Sequence, residues 1–306
     1  MKRIIILKHG GGELANQLWN YLSIYACGLD KKIPVQNPSF FEYHSFFNFL
    51  PKESLITRLF SQFFKTPRRR SHPINRLARI KYALRAKVIT CIHHRCIISS
   101  EHNSNKVIYI DPTQNLLESY MTCNTLYFSG WLFRNPLGLL RFTHELHTAF
   151  TPQQKIVDKV QSIVAPLRLQ YTHITGLHIR QSDYADFKNG TFVITQDRAR
   201  TIMQEYIREK VLDISKTLFI VTSDGPITRD LFKGFNIYIS KESSVVDLFL
   251  LSTTDTILGS NSSFGAFASW YGNIPHIVMN NNVIDWNYYN DKKTFFENKY
   301  LTLAHF

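Results

Sequence analysis

From about residue 165 onward, short apolar runs alternate with segments of helical spacing, and no other feature of this 306-residue chain limits its fold as strongly. Candidate strands lie at 174–179, 217–222, 236–239, 255–258 and 274–279. Candidate helices fill the gaps at Thr195 to Val211, Pro226 to Phe232, Ser244 to Leu251 and Ser262 to Tyr271. Apolar strands separated by helices make a parallel sheet covered on both faces. Ser244 with Asp247 has the spacing of a capping box at one helix start.

The beginning of the chain uses the same grammar. Ile4 to Leu7 is an apolar run, Gly10-Gly11-Gly12 a turn, and Leu14, Leu18, Tyr21, Leu22 and Tyr25 follow at helical spacing. Lys2 and Arg3 imitate the start of a signal peptide, but Lys8 and the glycines interrupt before a hydrophobic region forms, so the run reads as a buried first strand. Residues 34–66 are rich in Phe, Asn and Pro without a persistent period, which predicts irregular or short-helical structure. The expected architecture is α/β, with two Rossmann-like domains at 1–160 and 161–306 facing a central cleft, their boundary falling within 150–170. Ligands of open α/β sheets bind at the carboxyl ends of strands, where loops and helix amino termini converge.

A content of 44% hydrophobic residues supports a substantial core and argues against disorder. No apolar run reaches the ~18 residues of a membrane-spanning helix. The net charge of +13 is concentrated: nine Lys or Arg and no acid lie between Arg68 and Arg95. Within that stretch Leu77, Ile80, Leu84 and Val88 share one helical face with basic residues around it, a basic amphipathic helix. Such a helix packs on its own domain, or meets an anionic membrane or ligand. Nucleic acid is not expected as a partner, because no helix-turn-helix, zinc-finger spacing or RRM-type motif accompanies the charge.

The four cysteines, Cys27, Cys91, Cys96 and Cys123, are too few for a disulfide framework and predict reduced thiols in a cytoplasm. The run Cys91-Ile92-His93-His94-Arg95-Cys96 has the wrong spacing for zinc, and as a strand it would point Cys91 and His93 away from His94 and Cys96. No metal site is expected.

Several segments can carry chemistry. Gly10-Gly11-Gly12-Glu13-Leu14-Ala15-Asn16-Gln17, between strand and helix, suits either a phosphate cradle or a turn that merely closes strand–helix packing. In His178-Ile179-Arg180-Gln181-Ser182-Asp183-Tyr184, strand alternation puts His178 and Arg180 on one face at a carboxyl end. Arg180 there suits a diphosphate, or else a structural pair with Asp183. Ser223 and Asp224 end another strand, and Ser260-Asn261-Ser262-Ser263-Phe264 precedes a helix. Asp247 is a carboxylate within an apolar helix, able to bind a base edge or to serve the capping box. The chain lacks a D-x-D pair for holding a metal on a nucleotide diphosphate, so cations and helix amino termini would stabilise a departing diphosphate instead.

Taken in order, these segments resemble the bacterial α-1,2-fucosyltransferases of glycosyltransferase family 11 and the wider fucosyltransferase superfamily, over Gly10 to about Pro275. Gly12 to Tyr21 is similar to the family's G-G-L-G-N-Q-x-F-Q-Y, and His178 to Tyr184 to its H-x-R-R-x-D-Y. Phe219 to Asp224 is the third segment. Asp247 to Ser252, then Asp255 and Ser260 to Phe264, is similar to D-L-x-L-M-S and S-N-S-S-F. The resemblance implies a GT-B fold, a GDP-fucose donor bound mainly by the second domain, an acceptor bound largely by the first, and metal-free inversion without a cofactor. It also implies that Arg180 grips the β-phosphate and His178 lines the nucleotide pocket. Asp247 then reads guanine, Ser262 and Ser263 lie near the phosphates, and Asn16 and Gln17 shape the loop facing fucose.

The sequence departs from the family at Gln181, where a second arginine is expected, at Ser182, and at Glu13 and Ala15, which replace glycines. Lys188 is a candidate to restore the missing charge. Glu13, Asp183 and Asp186 are candidate acceptors of the hydroxyl proton. The expected function is transfer of fucose to a glycan hydroxyl, in α-1,2 linkage, for a surface polysaccharide or O-antigen. The acceptor is an oligosaccharide or a lipid-linked glycan. The expected location is cytoplasmic, peripheral on the inner membrane face. The alternatives are a transferase for another nucleotide sugar and a non-catalytic glycan- or polyanion-binding module.

Overall fold

A computed structural model describes residues 1–8, 12–49, 73–100, 107–181 and 193–290. It divides into two compact units, one spanning Met1–Gln153 and the other beginning at Gln154. The division falls at the start of a helix, so a boundary at residue 160 would cut that helix.

In the first unit, β1 (Arg3–Lys8) buries Ile4 to Leu7 completely or nearly so, as a strand covered on both faces must. Gly12 follows with φ +75°, and α1 (Leu14–Lys31) begins. Then come β2 (Val35–Gln36), α2 (Pro73–Ile92), β3 (Ile97–Ser99), β4 (Ile108–Tyr109), β5 (Thr125–Ser129), β6 (Phe133–Arg134), α3 (Pro136–Arg141) and α4 (Thr143–Ala149). The main sheet is parallel in the order β2-β1-β5-β3, and β4 pairs with β6. Where the sequence shows aromatics without a period, the chain makes 3-10 turns at Pro38–Phe40 and His44–Phe46. Phe40 and Phe49 pack there against Tyr21 of α1. The part of this aperiodic segment from residue 50 to 66 lies outside the described residues.

Helix α2 forms where the basic amphipathic pattern predicts one, but it does not use the apolar face picked out by spacing. Leu77, Ile80, Leu84 and Val88 are exposed. The opposite face packs inward instead: Ala86 and Ile89 join Ile5, Leu7 and Tyr127, and Tyr82 stacks on Phe41 at 4.8 Å. Glu42, 2% exposed, accepts from Asn75 Nδ2 at 2.8 Å and pairs with Arg79. Small and aromatic side chains with one neutralised carboxylate thus hold the helix, and the larger aliphatics are left over.

The expectation of four reduced thiols is overturned, because Cys96 and Cys123 form a disulfide. Cys96 immediately precedes β3 and Cys123 lies just before β5. Parallel pairing of those strands brings the two Cα atoms to 5.8 Å, a juxtaposition invisible in a linear spacing. Cys27 is buried and Cys91 exposed, both unpaired. The run from Cys91 to Cys96 is a helix end and a 3-10 turn rather than a strand.

The second unit contains α5 (Gln154–Gln170), β7 (His173–Ile179), α6 (Gln196–Glu209), β8 (Thr217–Ser223), β9 (Asn236–Ile239), α7 (Ser244–Leu251), β10 (Thr256–Ser260), α8 (Ser263–Gly272), β11 (His276–Met279) and α9 (Trp286–Asn290). Its five strands are all parallel in the order β11-β10-β7-β8-β9. Leu177, Ile179, Phe219, Val221 and Leu258 form its core with Ile202, Met203 and Tyr206 of α6. At the amino ends of β7 and β10, Asp255 accepts from Arg168 Nη1 and from the Ile174 amide, each at 2.7 Å.

Two local expectations fail for definable reasons. Pro226 to Phe232 is not a helix, and only Arg229–Phe232 makes a 3-10 turn. The Gln196 amide captures this backbone, donating to Pro226 O at 3.0 Å and accepting from Thr228 N at 2.8 Å. The cap of α7 is Ser243 rather than Ser244, its Oγ accepting from Val246 N. Asp247 is therefore one position past the capping-box acid.

Candidate functional site

In the second unit, β8 and β9 lie on one side of β7, and β10 and β11 on the other. The strand order thus reverses between β7 and β10, and the carboxyl ends of those two strands form the crevice where such sheets bind ligands. Arg180 follows β7, while Ser260 ends β10 and leads through Asn261 and Ser262 into α8.

His178, in register with Thr222 and Gly259, is 4% exposed. Its Nδ1 lies 3.1 Å from Thr222 Oγ1 and its ring stacks on Phe264 at 4.8 Å. Its Nε2 has no hydrogen-bond partner among the described residues. Burial, reinforced by the Arg180 charge, pushes the imidazole down to about 4, so it is neutral at pH 7.

Arg180 is clamped from both sides. Its amide donates to Ser260 Oγ at 3.1 Å, and its Nε lies 3.2 Å from Asp224 Oδ2. The side chain keeps a fifth of its surface exposed. Among the described residues Asp224, at the neighbouring strand end, is a carboxylate partner of Arg180; Asp183, the partner suggested by sequence, lies outside the described residues together with Asp186 and Lys188. Gln181 staples the same edge: its amide donates to Asp224 Oδ1 at 2.7 Å and its Nε2 to Ser223 Oγ at 2.8 Å. The Gln181 side chain is therefore a cross-link between strand ends, not only a missing cation.

The helix that starts in this crevice is capped by Ser262, whose Oγ accepts from Gly265 N at 3.5 Å. Ser263 and Phe264 form the first turn, and the amides of such a turn point toward an anion. A Cβ at Gly265 would lie 2.8 Å from His276 Nε2, so only glycine lets the helix start approach β11 this closely. Asp247, half-buried in the first turn of α7, accepts from Ser240 Oγ. Desolvation pushes its carboxyl up to about 7 despite that bond, with Glu242 adding to the rise.

In the first unit, a Cβ on Gly12 would sit 2.5 Å from Asn16 Nδ2, and Gln17 Nε2 donates to Gly12 O at 3.2 Å. Gln17 Oε1 is buried without a hydrogen-bond partner among the described residues. Glu13 occupies the cap position of α1 without capping it, and its Oε2 accepts from Tyr43 OH at 3.1 Å. Gly10 and Gly11 lie outside the described residues. Asn20, further along the same helix, is wholly structural: it donates to Gly130 O and accepts from Phe133 N.

The second unit therefore gathers His178, Arg180, Ser223, Asp224, Asn261, Ser262, Ser263 and Phe264 around the ends of three strands. Gly12, Glu13, Asn16 and Gln17 form a separate group in the first. Thr222, Ser240 and Ser260 support His178, Asp247 and Arg180, roles that the sequence does not assign. Thr222 and Ser260 carry a signal, as members of the third segment and the serine-rich motif, whereas Ser240 carries none. No group of three or more His, Cys, Asp or Glu able to hold a metal occurs among the described residues.

No family model matches the sequence, and no curated protein matches it. Solved structures do match. FUT1 of Arabidopsis thaliana, a mutant in complex with GDP, aligns at TM-score 0.54 over 92% of this chain and 72% of its own, with 12% identity. POFUT1 in complex with GDP aligns at 0.51 over 91% and 98%, with 12% identity. NodZ α-1,6-fucosyltransferase soaked with GDP-fucose aligns at 0.50 over 89% and 93%, with 15% identity. This chain shares the fold of these three proteins. It is the GT-B type of α/β architecture, with a parallel sheet in each unit.

Proposed function

We propose that the protein is a glycosyltransferase that moves fucose from GDP-fucose to a hydroxyl of a glycan acceptor. The observation that carries this reading is Arg180, held at the reversal point of the second sheet beside the capped start of α8. Its presence on a fold shared with proteins solved with GDP adds support.

The reaction follows from that charge arrangement. The acceptor oxygen attacks the anomeric carbon of fucose while the bond from that carbon to the β-phosphate oxygen breaks, inverting the centre. Negative charge accumulates on the departing GDP, where Arg180 and the first-turn amides of α8, with Ser262 and Ser263 nearby, stabilise it. Asp224 fixes the guanidinium orientation before substrate arrives. His178 stays neutral and adds no charge to the pocket. Asp247 in its ionised form accepts the N–H donors of the guanine edge, which uracil presents in a different pattern. The acceptor proton passes to a carboxylate, for which Glu13, Asp183 and Asp186 are the candidates.

We assign donor binding mainly to the second unit and acceptor binding largely to the first, with Gly12, Asn16 and Gln17 shaping the fucose side. Metal independence is part of the proposal, since cations and helix amides take the place of a D-x-D-held metal. The acceptor is an oligosaccharide or lipid-linked glycan, with α-1,2 linkage as the product and surface polysaccharide or O-antigen synthesis as the role.

Calorimetric titration with GDP, GDP-fucose and UDP, followed by product analysis on glycan arrays with and without EDTA, tests this. Binding of both guanine nucleotides in preference to UDP, and fucosylated product undiminished by EDTA, are expected. Preference for UDP would replace the donor, nucleotide binding without transfer would favour a binding module, and loss of turnover restored by Mg²⁺ would contradict the metal-free step.

A further inference from the structure

We propose that the outward face of α2 seats the protein on an anionic lipid bilayer. The helix is 20 residues long, roughly 30 Å, and has two distinct faces. Its inward face is fully employed, with Ala86 and Ile89 in the core, Tyr82 on Phe41, and Asn75 and Arg79 on Glu42. Its outward face presents Leu77, Ile80, Leu84, Val88 and Ile92, each between 56% and 77% exposed. At about 100° per residue these five fall within an arc of roughly 120°, a continuous stripe rather than scattered side chains.

The charges around the stripe decide what covers it. Lys81 falls inside the arc, Arg76 and Lys87 border one side and Arg85 the other, all exposed, and no acidic residue occurs between Pro73 and Arg95. An apolar stripe edged by long cationic side chains fits a bilayer interface: the aliphatics enter the acyl boundary while the cations extend to anionic headgroups. A second copy fits poorly, because pairing the stripe with itself across a two-fold axis sets two cationic rows against each other. The stripe belongs to the first unit, whereas the nucleotide site proposed above lies in the second. This inference therefore stands or falls separately from the transferase reading.

The test is co-sedimentation of the full chain with vesicles of pure phosphatidylcholine and of equal parts phosphatidylcholine and phosphatidylglycerol. Binding is expected with the anionic vesicles alone, weakened at least about tenfold by high salt, by Ile80→Ser with Leu84→Ser, and by Lys81→Gln with Arg85→Gln. Each variant is checked for unchanged melting temperature and GDP affinity. An environment-sensitive fluorophore on exposed Cys91, within α2, reads the helix with its stripe and cations intact and should shift to the blue on anionic vesicles. Equal binding to both vesicle types, no fluorophore shift, or a dimer in sedimentation velocity that the serine variant abolishes would each overturn the proposal.

Discussion

Arg180 has its backbone amide and its Nε fixed by the two neighbouring strand ends, so its orientation is set before any ligand arrives. Such preorganised donors contribute most where charge develops, and removing one typically costs ~3 kcal/mol of transition-state stabilisation. Arg180→Ala is accordingly expected to lower turnover on the order of a hundredfold, read as kcat with GDP-fucose; full activity would remove the role. Asp247, pushed up to about 7, gives a pH signature. A carboxylate that accepts from guanine must be ionised, so GDP affinity should rise as pH increases through 7, while Asp247→Asn should bind weakly with a flat profile. A wild-type profile flat from pH 6 to about 8 would contradict guanine reading. His178 makes the complementary stability prediction. Its folded value of about 4 lies below the unfolded 6.5, so the unfolded chain takes up the proton first. The stability contributed by burying the neutral ring is complete above 6.5 and is lost as pH falls toward 4. The loss is ~3 kcal/mol at 1.36 kcal/mol per pH unit. The raised Asp247 carboxyl acts in the opposite sense over the same window, so the His178 contribution is read by difference: in urea unfolding the wild type should lose stability relative to His178→Gln as pH falls from 6.5 toward 4, and a constant difference would contradict it.

Among the elements, those that repeat a period were legible in the sequence and those that depend on a partner were not. All five strands of the second sheet lie within two residues, at each end, of the bounds the sequence predicts; β7, β8, β10 and β11 are buried at nearly every position and so read as apolar runs, while β9, the half-buried edge strand, is marked by Ile237 and Ile239. In the first unit β2, β4 and β6 are two residues long and carry no period to read. Helix α2 was located correctly, but its packed face was not. Ala86, Tyr82 and the Glu42 contacts hold it through specific partners that hydrophobicity does not reveal. The position of Arg180 at a strand end was legible from alternation, whereas the clamp by Ser260 and Asp224 depends on strand order. The Cys96–Cys123 bond belongs to this scale too, tying the start of β3 to the approach of β5 across 27 residues. Closing a loop of that length is worth ~3.5 kcal/mol in the chain-entropy account. The Cys96→Ser, Cys123→Ser pair should lower the unfolding free energy by about that amount under oxidising conditions; an unchanged denaturant midpoint would show that the bond adds no stability.

At the scale of the whole molecule, the two units divide different chemistry between them. The second carries an arginine, hydroxyls and a helix start at the reversal of a parallel sheet, the arrangement that suits a nucleoside diphosphate. The first carries the glycine turn, Glu13 bonded to Tyr43, and the outward stripe of α2. The most direct measurement is a crystal structure of the full chain with GDP at saturating concentration. The diphosphate is expected within hydrogen-bond reach of Arg180 and the first turn of α8. A diphosphate bound away from residue 180, or no bound nucleotide, would contradict the account.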